Sequence, residues 1–283
     1  MKCIVAILAS LAVLDGGCST TSQTKYAAAY GSGSRELVVA TGSPGELGLL
    51  KALAEQFADK ADAKVLWYKA GSGPSLELLY GKEADVVMVH APQAEQNAVR
   101  HGWAVRRTLV GSNEFYIVGP ADDPVGVRSA STAAQAYRKV AEQGAKFLSR
   151  ADNSGTHKRE MAIWRRAGIE PEGPWYIATH DFMMATLLRA NAEKGYFMTD
   201  SSTWVVGKKN TPHLRLLFKG DPVLVNVYHA LCQPVGATSG AEVAGEFVDF
   251  LASEEAQQII RTYGIEQYGE ALYRDAQGSR QFE

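Results

Sequence analysis

The chain has 283 residues, with 29 Lys and Arg against 31 Asp and Glu, a net charge of -2, and 46% hydrophobic residues. That length exceeds an average domain, and the apolar share is ample for large buried cores. The near-neutral balance, with no basic stripe to neutralise phosphates, excludes a nucleic-acid partner.

The N-terminus carries Lys2, an apolar run from Ile4 to Leu14, and then Gly16-Gly17-Cys18. The run is too short for a membrane span, which takes roughly 20 residues. Residues 1–18 are therefore expected to be a signal peptide. Gly-Cys at its end resembles a bacterial lipoprotein signal, in which Cys18 becomes the lipidated first residue. Asp15 stands where such a signal has a Leu-like residue, and plain secretion with cleavage nearby is the competing reading. Both readings export the protein to the periplasm or cell envelope, and only an N-terminal lipid would touch the membrane.

Export makes the cysteines informative. Cys3 leaves with the signal and Cys18 would carry lipid, so Cys232 has no partner for an internal disulfide. In its apolar run it reads as a small buried hydrophobe. No CxxC, HExxH or clustered His/Cys spacing points to a metal cation, and no cofactor is expected. Residues 19–35, rich in Ser, Thr, Ala and Gly, read as a flexible tether.

The folded body opens on Leu37-Val38-Val39-Ala40, a continuous apolar run suited to a strand buried on both faces. Thr41 to Glu46 then turns the chain into a helix with Leu47, Leu50, Leu53, Ala54 and Phe57 on one face. Val65 to Tyr68 repeats the plan, with Gly71-Ser72-Gly73-Pro74-Ser75 as its turn. Ala84 to Val89 is a further strand ending at His90, followed by a helix from Gln93 to Arg100 and a strand at Glu114 to Val118. Alternating strands and helices predict an α/β fold with a largely parallel sheet. Ligands of such sheets sit beyond the carboxyl ends of the strands, where these turns project.

A helix from Ala133 to Gly144 leads to the most informative stretch, Ser149 to Glu160. It is a turn from a strand (Phe147, Leu148) into a helix running through Met161, Trp164 and Ala167 to Gly168. A helix start presents unpaired N–H groups and partial positive charge, which together favour an anion. Here Ser154 and Thr156 add hydroxyls, Gly155 allows close backbone approach, and Arg150 adds a planar guanidinium suited to oxyanions. Asp152 is expected to orient Arg150 or cap the helix. Asp152, Ser154 and His157 also suggest a catalytic triad, but no G-x-S-x-G elbow surrounds Ser154, and anion binding accounts for its hydroxyl. The chain is read as a non-enzyme, with an exported hydrolase using Ser154 and His157 as a remote alternative.

Further on, the pattern predicts a helix from Phe182 to Ala192, strands at Tyr196 to Thr199 and His213 to Phe218, and an apolar segment from Val223 to Leu231. Gly240 to Tyr263 reads as two amphipathic helices split at Ser253.

These motifs together resemble the tungstate-binding branch of the solute-binding proteins that serve bacterial ABC importers. The likeness runs from about Leu37 to Phe250, and Ser149 to Glu160 is its most specific part. The resemblance implies a two-lobed, periplasmic-binding-protein-like α/β fold of type II, with the ligand cleft between the lobes. Lobe 1 would comprise residues 36–118 and 226–283, and lobe 2 residues 119–225, with crossovers near Ile117 to Pro120 and Asn226 to Ala230. It implies ligand contacts from Thr41, Ser43, Ser72, Arg150, Ser154, Gly155 and Thr156, with His90, Asp152 and His157 behind them. The partners implied are a small oxyanion and an ABC permease, the protein itself being a monomer.

The sequence departs from the family at two turns. Gly42 replaces a hydroxyl residue, and His180, Phe182 and Met184 stand where the family has glycines, which would narrow the pocket or push that turn away. Tungstate, then molybdate, is the expected cargo. Phosphate and sulfate are the alternatives, as is an anion-sensing lipoprotein without transport. Phosphate is disfavoured because His90 occupies the position where a carboxylate would accept the phosphate proton.

Overall fold

The computed structural model describes residues 25–283. The expected signal peptide, Cys18 and the first part of the tether lie outside the described residues.

In chain order the elements are β1 (Ala28–Tyr30), β2 (Arg35–Thr41), α1 (Ser43–Glu46), α2 (Leu49–Ala61), β3 (Ala63–Lys69), α3 (Ser72–Tyr80), β4 (Val86–Val89), α4 (Pro92–Arg100) and β5 (Val105–Pro120). Then come α5 (Ala133–Glu142), β6 (Phe147–Ser149), α6 (Gly155–Ala167), β7 (Tyr176–Ala178), α7 (Met183–Glu193), β8 (Tyr196–Asp200) and α8 (Ser201–Gly207). The chain closes through β9 (Leu214–Phe218), β10 (Val225–Cys232), α9 (Ala241–Leu251), α10 (Glu254–Thr262) and β11 (Arg274–Asp275).

The strands lie in the order β1-β3-β2-β4-β10-β5-β8-β6-β7, with β9 and β11 also on β5. Strands β2, β3 and β4 are parallel, as are β6, β7 and β8. Every residue of β4 is buried, as the apolar run predicts. Strand β5 is shared: residues up to Glu114 pair with β10, and Phe115 to Pro120 pair with β8 and β9. The hydrophobic interior divides accordingly. Leu50, Phe57, Val86 and Phe247 pack in one core, and Tyr137, Phe147, Trp164 and Phe197 in another. A smaller cluster including Leu79 and Val87 covers the other face of the first sheet.

The split of the C-terminal helix pair at Ser253 is as expected, because the Ser253 hydroxyl accepts the Ala256 N–H and caps α10. Cys232 is buried, and burial pushes its thiol up to about 11.

Three expectations need correction. The passage from one strand group to the other on β5 falls at Glu114–Phe115, not at Ile117 to Pro120, because one uninterrupted strand serves both groups. The return passage enters β10 at Val225, opposite Glu114. The presumed tether is structured at its end: Ala28–Tyr30 pairs antiparallel with Val65–Trp67, giving β3 a second neighbour. The helix after β2 is also broken, since Gly48 at φ 88 separates α1 from α2.

Candidate functional site

The turns leaving β3 and β4 in the first strand group meet the turn leaving β6 in the second, and Ser43, after β2, meets Asp200 at the end of β8. The contact is close. A Cβ built at Gly155 would lie 2.4 Å from the His90 ring, and one at Gly71 would lie 2.9 Å from Ser154 Cβ. His90, Arg150, Ser154 and Gly155 therefore lie along one seam with the Gly71 turn.

Arg150 follows β6 directly and is only 3% exposed. Its terminal nitrogen Nη2 donates to Asp152 Oδ2, while Asp152 Oδ1 accepts the Ser154 N–H at 3.1 Å. Asp152 thus bonds both the guanidinium and the turn. The guanidinium Nε has no protein partner. Ser154 caps α6 by accepting the His157 N–H at 3.3 Å, which leaves its own proton free to donate. Gly155 and Thr156 are the first helical residues, so their N–H groups have no intrahelical acceptor. Thr156 is 1% exposed, and its hydroxyl also has no protein partner. Buried polar groups without partners are uncommon and costly. Here two of them, Arg150 Nε and Thr156 Oγ1, belong to the turn that the sequence marks as an oxyanion grip.

The first strand group offers less than its residue types suggest. Thr41 donates its one hydroxyl proton to Met88 O at 2.8 Å, and Ser43 donates to Asp200 Oδ2 at 3.2 Å. As placed, neither has a proton for an anion. Ser72 accepts the His90 N–H at 3.1 Å and keeps its proton.

His90 packs against Phe115 and Tyr228, with ring centroids 6.0 and 5.0 Å away. Burial, then Arg150 and Arg159, push its imidazole down to about 3, so it is neutral. A base held below its free value of 6.5 gives stability that is present above 6.5 and declines as pH falls toward about 3. The melting temperature of wild type relative to His90→Gln should therefore fall on acidification through that window. A flat difference would place the ring in water. Glu160, raised by burial to about 7, is common to both proteins and cancels in the comparison.

His157 is not aimed at Ser154. Its Nδ1 accepts the Asn153 N–H at 3.2 Å, and burial lowers its pKa. It lines a groove of about 770 Å³ with Lys158, Arg159 and Arg165. On the other side of the seam is a cleft of about 430 Å³ lined by Lys69, Gly71, Asp152, His180 and Phe182.

The glycine-poor turn is anchored to the second strand group. Thr179 N–H donates to Ser149 O at 2.8 Å and His180 N–H to Arg150 O at 3.0 Å, tying it to the end of β6. Phe182 lies over the Arg150 guanidinium with 5.6 Å to its ring centroid. Met184 turns away from the seam toward Gly207 of α8.

Sequence reasoning missed Asp200. It is 1% exposed and caps α8 by accepting Thr203 N–H at 2.7 Å and Thr203 Oγ1 at 3.1 Å. Burial raises its carboxyl, while these bonds and Arg150 oppose that shift. The local signal was an Asp three residues before Thr203 at the end of a strand, an N-cap pattern. The pairing of Asn226 with Asn113 at 2.7 Å, where the two shared strands meet, was also missed.

Among the described residues, no His, Cys, Asp or Glu group could hold a metal ion, and no helix is long and apolar enough to cross a membrane.

Residues 20–255 match the PBP superfamily domain. A putative ABC transporter anion-binding protein of Haloferax volcanii is 38% identical over 81% of this chain and 69% of its own length. The tungstate-binding protein TupA of Peptoclostridium acidaminophilum is 34% identical over 84% of each chain. The crystal structure of the tungstate ABC transporter from Geobacter sulfurreducens superposes with a TM-score of 0.73. It is 34% identical to this chain, and the match covers 82% of this chain and 100% of that one.

Proposed function

The chain belongs to the PBP superfamily, and from that premise we propose that it is the extracytoplasmic solute-binding subunit of an ABC importer, with tungstate as its cargo and molybdate as the next choice. The observation that carries this reading is the pair of buried, unpartnered donors Arg150 Nε and Thr156 Oγ1 at the start of α6. The tungstate-binding relatives support the choice of ion.

The state of the carboxylates supports a fully deprotonated anion. A protonated phosphate needs an acceptor, yet Asp152 is engaged by Arg150 and Ser154, and Asp200 by Ser43 and Thr203. His90 is neutral and packed against rings and the Gly155 backbone. The ligand set is Ser72, Arg150, Ser154, Gly155 and Thr156, with Thr41 and Ser43 holding the first turns in shape. The hydrolase reading lacks its base, because the His157 ring bonds to Asn153 N–H and not to the Ser154 hydroxyl. The protein captures its cargo and does not transform it.

Residues 36–114 with 225–283 form one lobe and 115–224 the other, hinged where β5 and β10 meet. Donors from both lobes are satisfied together only in the closed form, so the anion shifts the population toward it. A lipid on Cys18 would hold this monomer at the membrane beside its permease.

A thermal-shift series with tungstate, molybdate, sulfate and phosphate tests the assignment. Tungstate and molybdate should give the largest rises, and a rise with phosphate alone would overturn it. Thr156→Val should leave ligand-free stability unchanged or raised, since its hydroxyl bonds to nothing in the protein. The same variant should weaken tungstate binding about tenfold, measured by calorimetry.

A further inference from the structure

One aromatic ring in the lining of the cleft of about 430 Å³ reaches across the seam. Phe182 has two cations from opposite lobes over its ring: Lys69 Nζ at 4.3 Å from the centroid and the Arg150 guanidinium carbon at 5.6 Å. Lys69 ends β3 and is held in place by Glu46 at 2.9 Å. Phe182 stands before α7, after the turn that leaves β7. Strands β3 and β7 lie well out on their two sheets, whereas the shared strands β10 and β5 are central. A contact so far from the hinge has a long lever arm. Modest attraction there therefore opposes opening more than the same attraction near β5.

We propose that Phe182 is the clasp of the cleft, closing over the cargo by gripping Lys69 and setting how slowly the anion leaves. The proposal rests on the reading of the chain as an oxyanion-binding protein. The ring also covers one face of the Arg150 guanidinium, so water reaches that cation less readily while the clasp is shut. The weaker hydration of a guanidinium makes it a suitable partner for an aromatic face. The clasp acts on release and not on capture, because its two halves meet only after the lobes have come together.

Stopped-flow chase of tungstate tests this. Phe182→Ala should release tungstate about tenfold faster with little change in association rate. Phe182→Tyr, which keeps the ring, should restore slow release. Lys69→Met should act in the same direction, and the double variant should lose no more than the larger single loss, as expected of two groups in contact. Unchanged release in Phe182→Ala, or additive losses, would overturn the clasp. Wild-type protein that binds no oxyanion would overturn the cargo assignment and the clasp with it, whereas intact tungstate binding with unchanged release in Phe182→Ala would overturn the clasp alone.

Discussion

Arg150→Ala should weaken tungstate binding by about ten- to a hundredfold, the range expected from losing charge-assisted hydrogen bonds of roughly 1.5–3 kcal/mol. The loss has two sources. The guanidinium is buried and keeps its Nε free of protein partners, so any bond it makes to an anion is shielded from water. Its removal also leaves the Asp152 carboxylate without its cation, at a place where negative charge repels the cargo. Arg150→Lys should fall between wild type and alanine, because an ammonium keeps the charge but not the planar fork. The ligand-free melting temperature should move little, since Arg150 contacts Asp152 and Phe182 at the seam and lies outside both cores. Calorimetry and thermal melting on the same samples read both quantities. Unchanged affinity would remove Arg150 from the site.

The second large effect comes from a single methyl group. Gly155 is the first residue of α6 and has helical backbone geometry, so alanine suits it locally and favours the helix. The added Cβ would lie 2.4 Å from His90 Cε1 and 2.5 Å from Nδ1. The His90 ring cannot swing aside freely, because Phe115 and Tyr228 flank it. The clash exists only between the lobes. Gly155→Ala should therefore leave folding intact, block closure, and weaken binding by about tenfold or more, in line with typical overpacking costs of 1–3 kcal/mol. Adding His90→Ala should recover part of the loss. A Gly155→Ala protein with wild-type affinity would show that the lobes do not need to meet here.

These two predictions show what could be read before the structure was known. The Ser149 to Glu160 turn was legible because its signals are local: a cap at Ser154, a glycine at Gly155 and a left-handed stop at Gly168. The alternation of strands and helices was legible for the same reason. Contacts between residues far apart in the chain were not. Nothing near Gly155 announces His90, and nothing near Phe182 announces Lys69, since the sheet order brings them together. Hydroxyl residues posed a subtler problem. Thr41 and Ser43 have the right chemistry, but their protons go to Met88 O and Asp200. Residue type indicates that a donor exists, and only geometry shows where it is spent. The length of β5 was underread because none of its first five residues, Val105 to Leu109, is buried, and the buried stretch that follows includes the polar Ser112 and Asn113, so the continuous apolar signature is missing there.

Anomalous diffraction at a tungsten absorption edge, from crystals grown with tungstate, tests the central claim most directly. The account predicts one strong peak at the seam, within hydrogen-bonding reach of Arg150 Nε and Thr156 Oγ1 and beneath the Phe182 ring. A peak in the groove lined by Lys158, Arg159 and Arg165 instead, or no peak at saturating tungstate, would contradict it.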